Sequence, residues 1–237
     1  MELYDKLISG IYEKLPVKAD KIQRYGPSLA AEKGDKNAVI FRDETAFELG
    51  AERTNSVCSV LFTSREVADE VLLYGKDIAE IASNPPLAHF VVVSLDGQRE
   101  LKYEELKEIE FSLYRICPRG YGVRISPAGG REVVRVSKQA KADGLSFINV
   151  GCSYIEEFRK NPLVKNVRVI FSTRDDTDYA ALSLIAKKAN AVTKALASGF
   201  ENLNAGCGGC AMKPVCDEID GLRELHLGKT KQGENRV

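Results

Sequence analysis

The sequence predicts a mixed α/β protein: two α/β subdomains whose mixed sheets are flanked by helices, followed by a cysteine-rich C-terminal segment. Three observations lead there. Short β-branched and aromatic runs alternate with stretches of helical apolar spacing. Proline and glycine cluster between residues 116 and 130, where one subdomain would give way to the next. The 237 residues are 44% hydrophobic, enough for a sizeable core. The expected division is residues 1–117, 118–200, a metal-binding segment at 201–228, and a polar, frayed tail at 229–237.

Leu3, Leu7, Ile11 and Leu15 recur at four-residue steps with Ile8 beside them, which predicts a helix over residues 2–15. After the Gly26-Pro27 turn signal, β-like runs occupy residues 38–41 and 56–62, with Cys58 in the core. Residues 71–75 read as a strand and 77–82 as a short helical turn. Pro85-Pro86 stops the chain before the apolar run 87–95, and Asp96-Gly97 makes a tight turn. Leu106, Ile109, Phe111 and Leu113 among charged residues predict a helix at 103–114 covering a sheet face. Residues 131–136 and 166–171 read as strands. The first feeds a helix near 137–142. The second feeds a long one from about 175 to 198, with Ala181, Ile185, Ala189, Val192 and Leu196 on one face and Asp175 and Asp176 at its positive end. Lys187 and Lys194 fall opposite that face and Lys188 at its margin.

Charge and composition narrow the function. Lys and Arg total 34 against 34 Asp and Glu, so the basic excess typical of nucleic-acid binding is missing. No apolar run approaches the length of a membrane span. The N-terminus lacks the features of a secretory signal, so a cytoplasmic location is expected and a disulfide framework is not. The six cysteines are unevenly placed. Cys58, Cys117 and Cys152 stand alone and read as structural. Cys207, Cys210 and Cys216 crowd together among glycines and read as ligands.

A Cys-x-x-Cys pair brings two thiolates to the same side of a turn, where they can grip a metal ion or part of an iron–sulfur cluster. Three thiols leave a tetrahedral site or a cubane one ligand short. His226 is the nearest imidazole, Asp217 and Glu218 are alternatives, and a cluster iron can also take an exogenous ligand. A redox Cys-x-x-Cys is the competing reading, although that motif normally follows a strand and opens a helix. Iron–sulfur and zinc both remain open on these residues.

The other chemical feature lies between residues 115 and 138. Arg115, Arg119, Arg124, Arg131, Arg135 and Lys138 stand there against one acid, Glu132, in a glycine-rich stretch. Guanidinium forks and exposed backbone amides suit polyanionic phosphates. The bland alternative is a solvated loop whose arginines pair with distant acids. No Walker loop or dinucleotide fingerprint is present. His89, opening an apolar run, reads as structural, and two histidines leave little room for a nucleophile–base pair, so the catalytic residues are unknown.

The stretch Arg135-Val-Ser-Lys138, followed by Gly144, Phe147 and Asn149, then by the strand at 166–173 and the long helix running into the cysteines, resembles the catalytic subunit of carbon monoxide dehydrogenase/acetyl-CoA synthase. Upstream, Tyr25-Gly-Pro27, Phe47-Glu-Leu49 and Tyr74-Gly75 fall in compatible order. The resemblance spans roughly residues 4–216 and is to that enzyme's middle α/β domain and the start of the next. It implies that the arginines meet the phosphates of coenzyme A or an acyl-coenzyme A. It also implies that Cys207, Cys210 and Cys216 begin a [4Fe-4S] motif, favouring iron–sulfur over zinc, in an anaerobe's carbon monoxide and acetyl-CoA metabolism of the Wood-Ljungdahl type.

Departures from the family are equally specific. Its second and third cysteines are further apart, its fourth ligand is cysteine where this chain offers His226, and its Cys-Gly-Cys nickel ligands have no counterpart. Val134 stands before Arg135, where the family has a tryptophan on the coenzyme side. The expectation is therefore a synthase-like protein that does not form acetyl-CoA alone. It would act as an accessory to other components of the carbon monoxide dehydrogenase/acetyl-CoA synthase system or as part of a split synthase, with a zinc-stabilised interaction module as the alternative.

Overall fold

A computed structural model describes residues 2–96, 102–126 and 130–201. The fold is mixed α/β with two sheets, as the residue patterns predict. The larger has the order β1 (Lys21–Arg24), β4 (Glu70–Tyr74), β8 (Val164–Ser172), β5 (Leu87–Leu95), β3 (Ser56–Thr63). β4 runs parallel to β8 and β3 parallel to β5, while β1/β4 and β5/β8 are antiparallel. Every residue of β5 is buried, which is why its sequence is an almost unbroken apolar run rather than an alternation. The smaller sheet is antiparallel, β2 (Thr45–Leu49), β7 (Arg131–Ser137), β6 (Tyr121–Ser126).

Helix α1 (Glu2–Lys14) lies against α5 (Tyr179–Glu201) and β3, burying Tyr4 and Ile11. The Tyr4 hydroxyl sits 2.7 Å from Thr193 Oγ1 on α5. Helix α2 (Tyr103–Phe111) packs on α5 and continues into a single turn at Ser112–Arg115. Helix α3 (Lys138–Ala142) follows β7 directly, started by Ser137, whose hydroxyl accepts from Ala140 N at 3.1 Å. Helix α4 (Phe147–Phe158) covers β4 and β8. It approaches closely because Gly151 has no Cβ: one placed there would stand 2.5 Å from Val71 Cγ2.

Three expectations need correction. Residues 38–41 form no strand; Val39 and Phe41 are exposed and the segment crosses the open face of the small sheet without ladder partners. The chain does not divide at residue 117. β8 lies between β4 and β5, and β2 pairs with β7, so both sheets draw strands from either side of that boundary. The buried stripe of α5 runs through Leu182, Ala186, Ala189 and Val192, rotated from the predicted one, with Ile185 only partly covered against Gly10. Its first turn is capped by Asp178, which accepts from Ala181 N at 3.0 Å, while Asp176 pairs with Arg174. The cysteine-rich segment and tail lie outside the described residues.

Candidate phosphate-binding cleft

The small sheet has two chemically different faces. Along β7, Glu132, Val134 and Val136 are buried, while Arg131 is exposed and Val133 and Arg135 are partly so. This is the period-2 alternation of a strand with one face open. In the β6/β7 register Arg124 stands opposite Val133, so Arg131 and Arg135 are its two diagonal neighbours, at about 7–8 Å for such positions. Gly122 stands opposite Arg135 and presents no side chain.

A strap of residues 34–40 passes over this face. It is anchored by Gly34 N donating to Cys117 O at 2.7 Å and by Arg119 N donating to Glu32 O at 2.8 Å. Gly34 is required at the first anchor, since a Cβ there would lie 2.9 Å from Arg119 Cα. Further along, Ile40 packs onto Gly122, where a Cβ would come within 3.1 Å of Ile40 Cδ1. Strap and sheet together enclose a cleft of about 730 Å³. That volume lies within the range of roughly 300–1,000 Å³ for small-molecule and cofactor sites.

Four of the six predicted basic residues line the cleft: Arg119, Arg124, Arg131 and Arg135. Two do not. Arg115 points its guanidinium over the Phe111 ring at 5.8 Å, and Lys138 donates to Asp43 O at 2.7 Å, because the chain has turned into α3 by that point. Arg119 pairs with Glu32 at 3.0 Å, and Arg135 Nε pairs with Glu48 on β2 while its other arm reaches Ile40 O. Arg124 and Arg131 form no ion pair among the described residues. Two adjacent cations on one sheet face repel each other, and a bound anion would offset that repulsion by attracting both. Asp35, Glu48 and Glu52 also line the cleft, so the field is not uniformly positive. Glu48 is engaged by Arg135, and Asp35 accepts from Asn37 N at 2.9 Å.

Cys117, expected to be structural, is only partly buried and lines the cleft. Burial, and then the charge of Asp35, raise its pKa, which holds it as a thiol rather than a reactive thiolate. Cys58 and Cys152 are buried, as expected. Cys207, Cys210, Cys216 and His226 lie outside the described residues. Among the described residues no group of three or more His, Cys, Asp or Glu could hold a metal ion.

The buried face of the same sheet carries a polar cluster that the sequence did not announce. Glu132 Oε2 lies 2.7 Å from His89 Nδ1 on β5, joining the two sheets. The imidazole stacks on Phe171 at 4.6 Å between centroids and meets Tyr154 edge-on at 4.5 Å. Ser56 bridges to the Glu132 backbone, accepting from its N–H at 3.0 Å. His89 Nε2, Glu132 Oε1 and the hydroxyls of Tyr121 and Tyr154 have no partner among the described residues. Burial first, and then the Glu132 charge, raise both tyrosine pKa values well above the ordinary phenol. Tyr121 belongs to both layers, lining the cleft while burying its hydroxyl beneath it. His89 is fully buried and so cannot touch a ligand in the cleft.

No family model matches the sequence, and no curated protein matches it either. Among the described residues, no helix is long and apolar enough to cross a membrane.

Proposed function

We propose that this chain is an acetyl-CoA synthase-like protein that binds coenzyme A, or an acyl derivative, by its phosphates in the arginine cleft. The observation that supports the coenzyme half is the set Arg124, Arg131 and Arg135 on one open sheet face, two of them without a counter-ion among the described residues. The guanidinium forks of Arg124 and Arg131 can each engage a phosphate group in bidentate fashion, with Arg135 held beside them by Glu48. A single monophosphate would leave part of the cluster uncompensated; a coenzyme with several phosphates would not. In this reading Cys207, Cys210 and Cys216 hold an iron–sulfur centre with His226 as fourth ligand, a donor set that suits a cluster and zinc alike. Such a cluster would supply one-electron transfer. The protein's own contribution is to hold the coenzyme at the cleft.

Titration with coenzyme A, dephospho-coenzyme A and pantetheine tests the coenzyme half. Affinity should fall stepwise as phosphates are removed and weaken with added salt. Equal affinity for pantetheine and coenzyme A would remove the phosphate site from the account.

A further inference from the structure

We propose that a second cavity, adjoining the arginine cleft, receives the acyl chain of a coenzyme thioester longer than acetyl. This rests on the coenzyme reading above and adds the substrate class to it. The cavity holds about 380 Å³ between β3, the Ser112–Arg115 turn and α5. Tyr114 and Ile125 line both spaces, which lie to either side of β6, the edge strand of the small sheet. In this proposal a ligand with its phosphates over Arg124 and Arg131 passes its other end around the β6 edge across Tyr114.

The lining sets the chemistry of that end. Cys58, Val60, Leu113 and Ile125 give an apolar wall, and the Cys58 thiol is kept neutral by burial. The charged groups and the Thr193 hydroxyl of the lining already have partners, and Asn190 adds one neutral amide. Thr193 Oγ1 is taken by Tyr4 and donates to Ala189 O at 3.1 Å, Lys107 pairs with Glu110, and Lys194 has an interaction of its own. No charge is thus available to hold a carboxylate or phosphate, and an apolar chain fits instead. At the mouth, the Phe111 and Tyr114 rings lie 5.2 Å apart and remain 56% and 42% exposed. They are large apolar surfaces left uncovered where a chain would cross. An acetyl group, comparable to a few waters of about 30 Å³ each, would leave most of the cavity unfilled.

Calorimetry with octanoyl-coenzyme A, acetyl-coenzyme A, coenzyme A and free octanoate tests this on the full chain. Each fully buried methylene contributes about fourfold in affinity, so octanoyl-coenzyme A should bind at least tenfold more tightly than coenzyme A, with acetyl-coenzyme A close to coenzyme A. Filling the cavity from the partly buried helix position Asn190 with Asn190→Phe should bring the octanoyl-to-coenzyme ratio to about one. Phe111→Ala, at an exposed site that threatens folding less, should lower it severalfold. Equal binding of octanoyl-coenzyme A and coenzyme A overturns the acyl cavity and leaves the phosphate cleft standing. Binding of octanoate that Asn190→Phe removes, with no coenzyme A binding, keeps the apolar site and overturns the coenzyme reading. No binding of any of the four overturns both.

Discussion

His89 Nδ1 on β5 and Glu132 Oε2 on β7 meet at 2.7 Å in the interior, with both side chains essentially inaccessible to water, and tie the five-stranded sheet to the three-stranded one. A buried pair of this kind is a weak source of net stability, but removing one partner strands the other. His89→Leu and Glu132→Leu should each destabilise by about 3–5 kcal/mol in urea unfolding. The double variant should cost less than their sum, with a coupling of about 1–3 kcal/mol. Strictly additive losses would mean that the two groups do not act as a pair.

The arginine face depends on a backbone position beneath it. Gly120 has φ +70°, and a Cβ there would lie 2.4 Å from Ala140 Cβ and 2.5 Å from Ser137 Oγ, the group that starts α3. Gly120→Ala combines left-handed strain of about 1–2 kcal/mol with overpacking of about 1–3 kcal/mol. Denaturant titration should show a loss of at least about 2 kcal/mol. A neutral result would place this turn elsewhere.

Alkaline pH offers a separate handle at the start of α5. Burial pushes the Tyr179 pKa up to about 12, against an unfolded value near 10, although the hydrogen bonds to Ser172 and Thr177 oppose the shift. Because the folded state holds the proton more tightly, its contribution is complete below pH ~10 and is lost as pH rises through about 12. Over that window the loss is on the order of 2–3 kcal/mol. Tyr179→Phe should sacrifice roughly 1 kcal/mol at neutral pH, from the hydroxyl that donates to Arg174 O, and flatten the decline above pH ~10. An unchanged alkaline limb would assign that decline to other groups, the buried Tyr4, Tyr121 and Tyr154 among them.

For the cysteine segment, anaerobic purification with metal analysis and visible absorption should give a coloured, iron-containing protein. Cys210→Ser should lose both colour and iron. A colourless protein carrying stoichiometric zinc would replace the cluster with the zinc-stabilised alternative. Unchanged metal content in the variant would remove Cys210 from the ligand set.

Local patterns made much of the fold legible. The almost unbroken apolar run of β5 and the alternation of β7 were strong because burial on two faces or one leaves a direct mark on the sequence. The order of strands was not legible, because β8 enters the middle of a sheet begun at Lys21 and nothing local records its neighbours. The run Val39-Ile-Phe41 has strand-forming residue types yet forms a strap, since Gly34 and Gly122 admit it across a face instead of along an edge. The arginine cluster was visible as composition. Which arginines share the cleft was decided by the β6/β7 register and by the turn into α3, which carries Lys138 away. The His89–Glu132 pair left only a lone acid among arginines as its signal, and its position on the buried face of β7 puts that acid inside.

Calorimetric titration of coenzyme A against the native chain and Arg124→Ala/Arg131→Ala tests the central claim most directly. Charge-assisted hydrogen bonds contribute about 1.5–3 kcal/mol each, so the double variant should bind at least about a hundredfold more weakly. Arg115→Ala/Lys138→Ala, outside the cleft, should stay within about twofold of native. Native affinity in the Arg124/Arg131 variant, or equal losses in both double variants, would contradict the phosphate cleft.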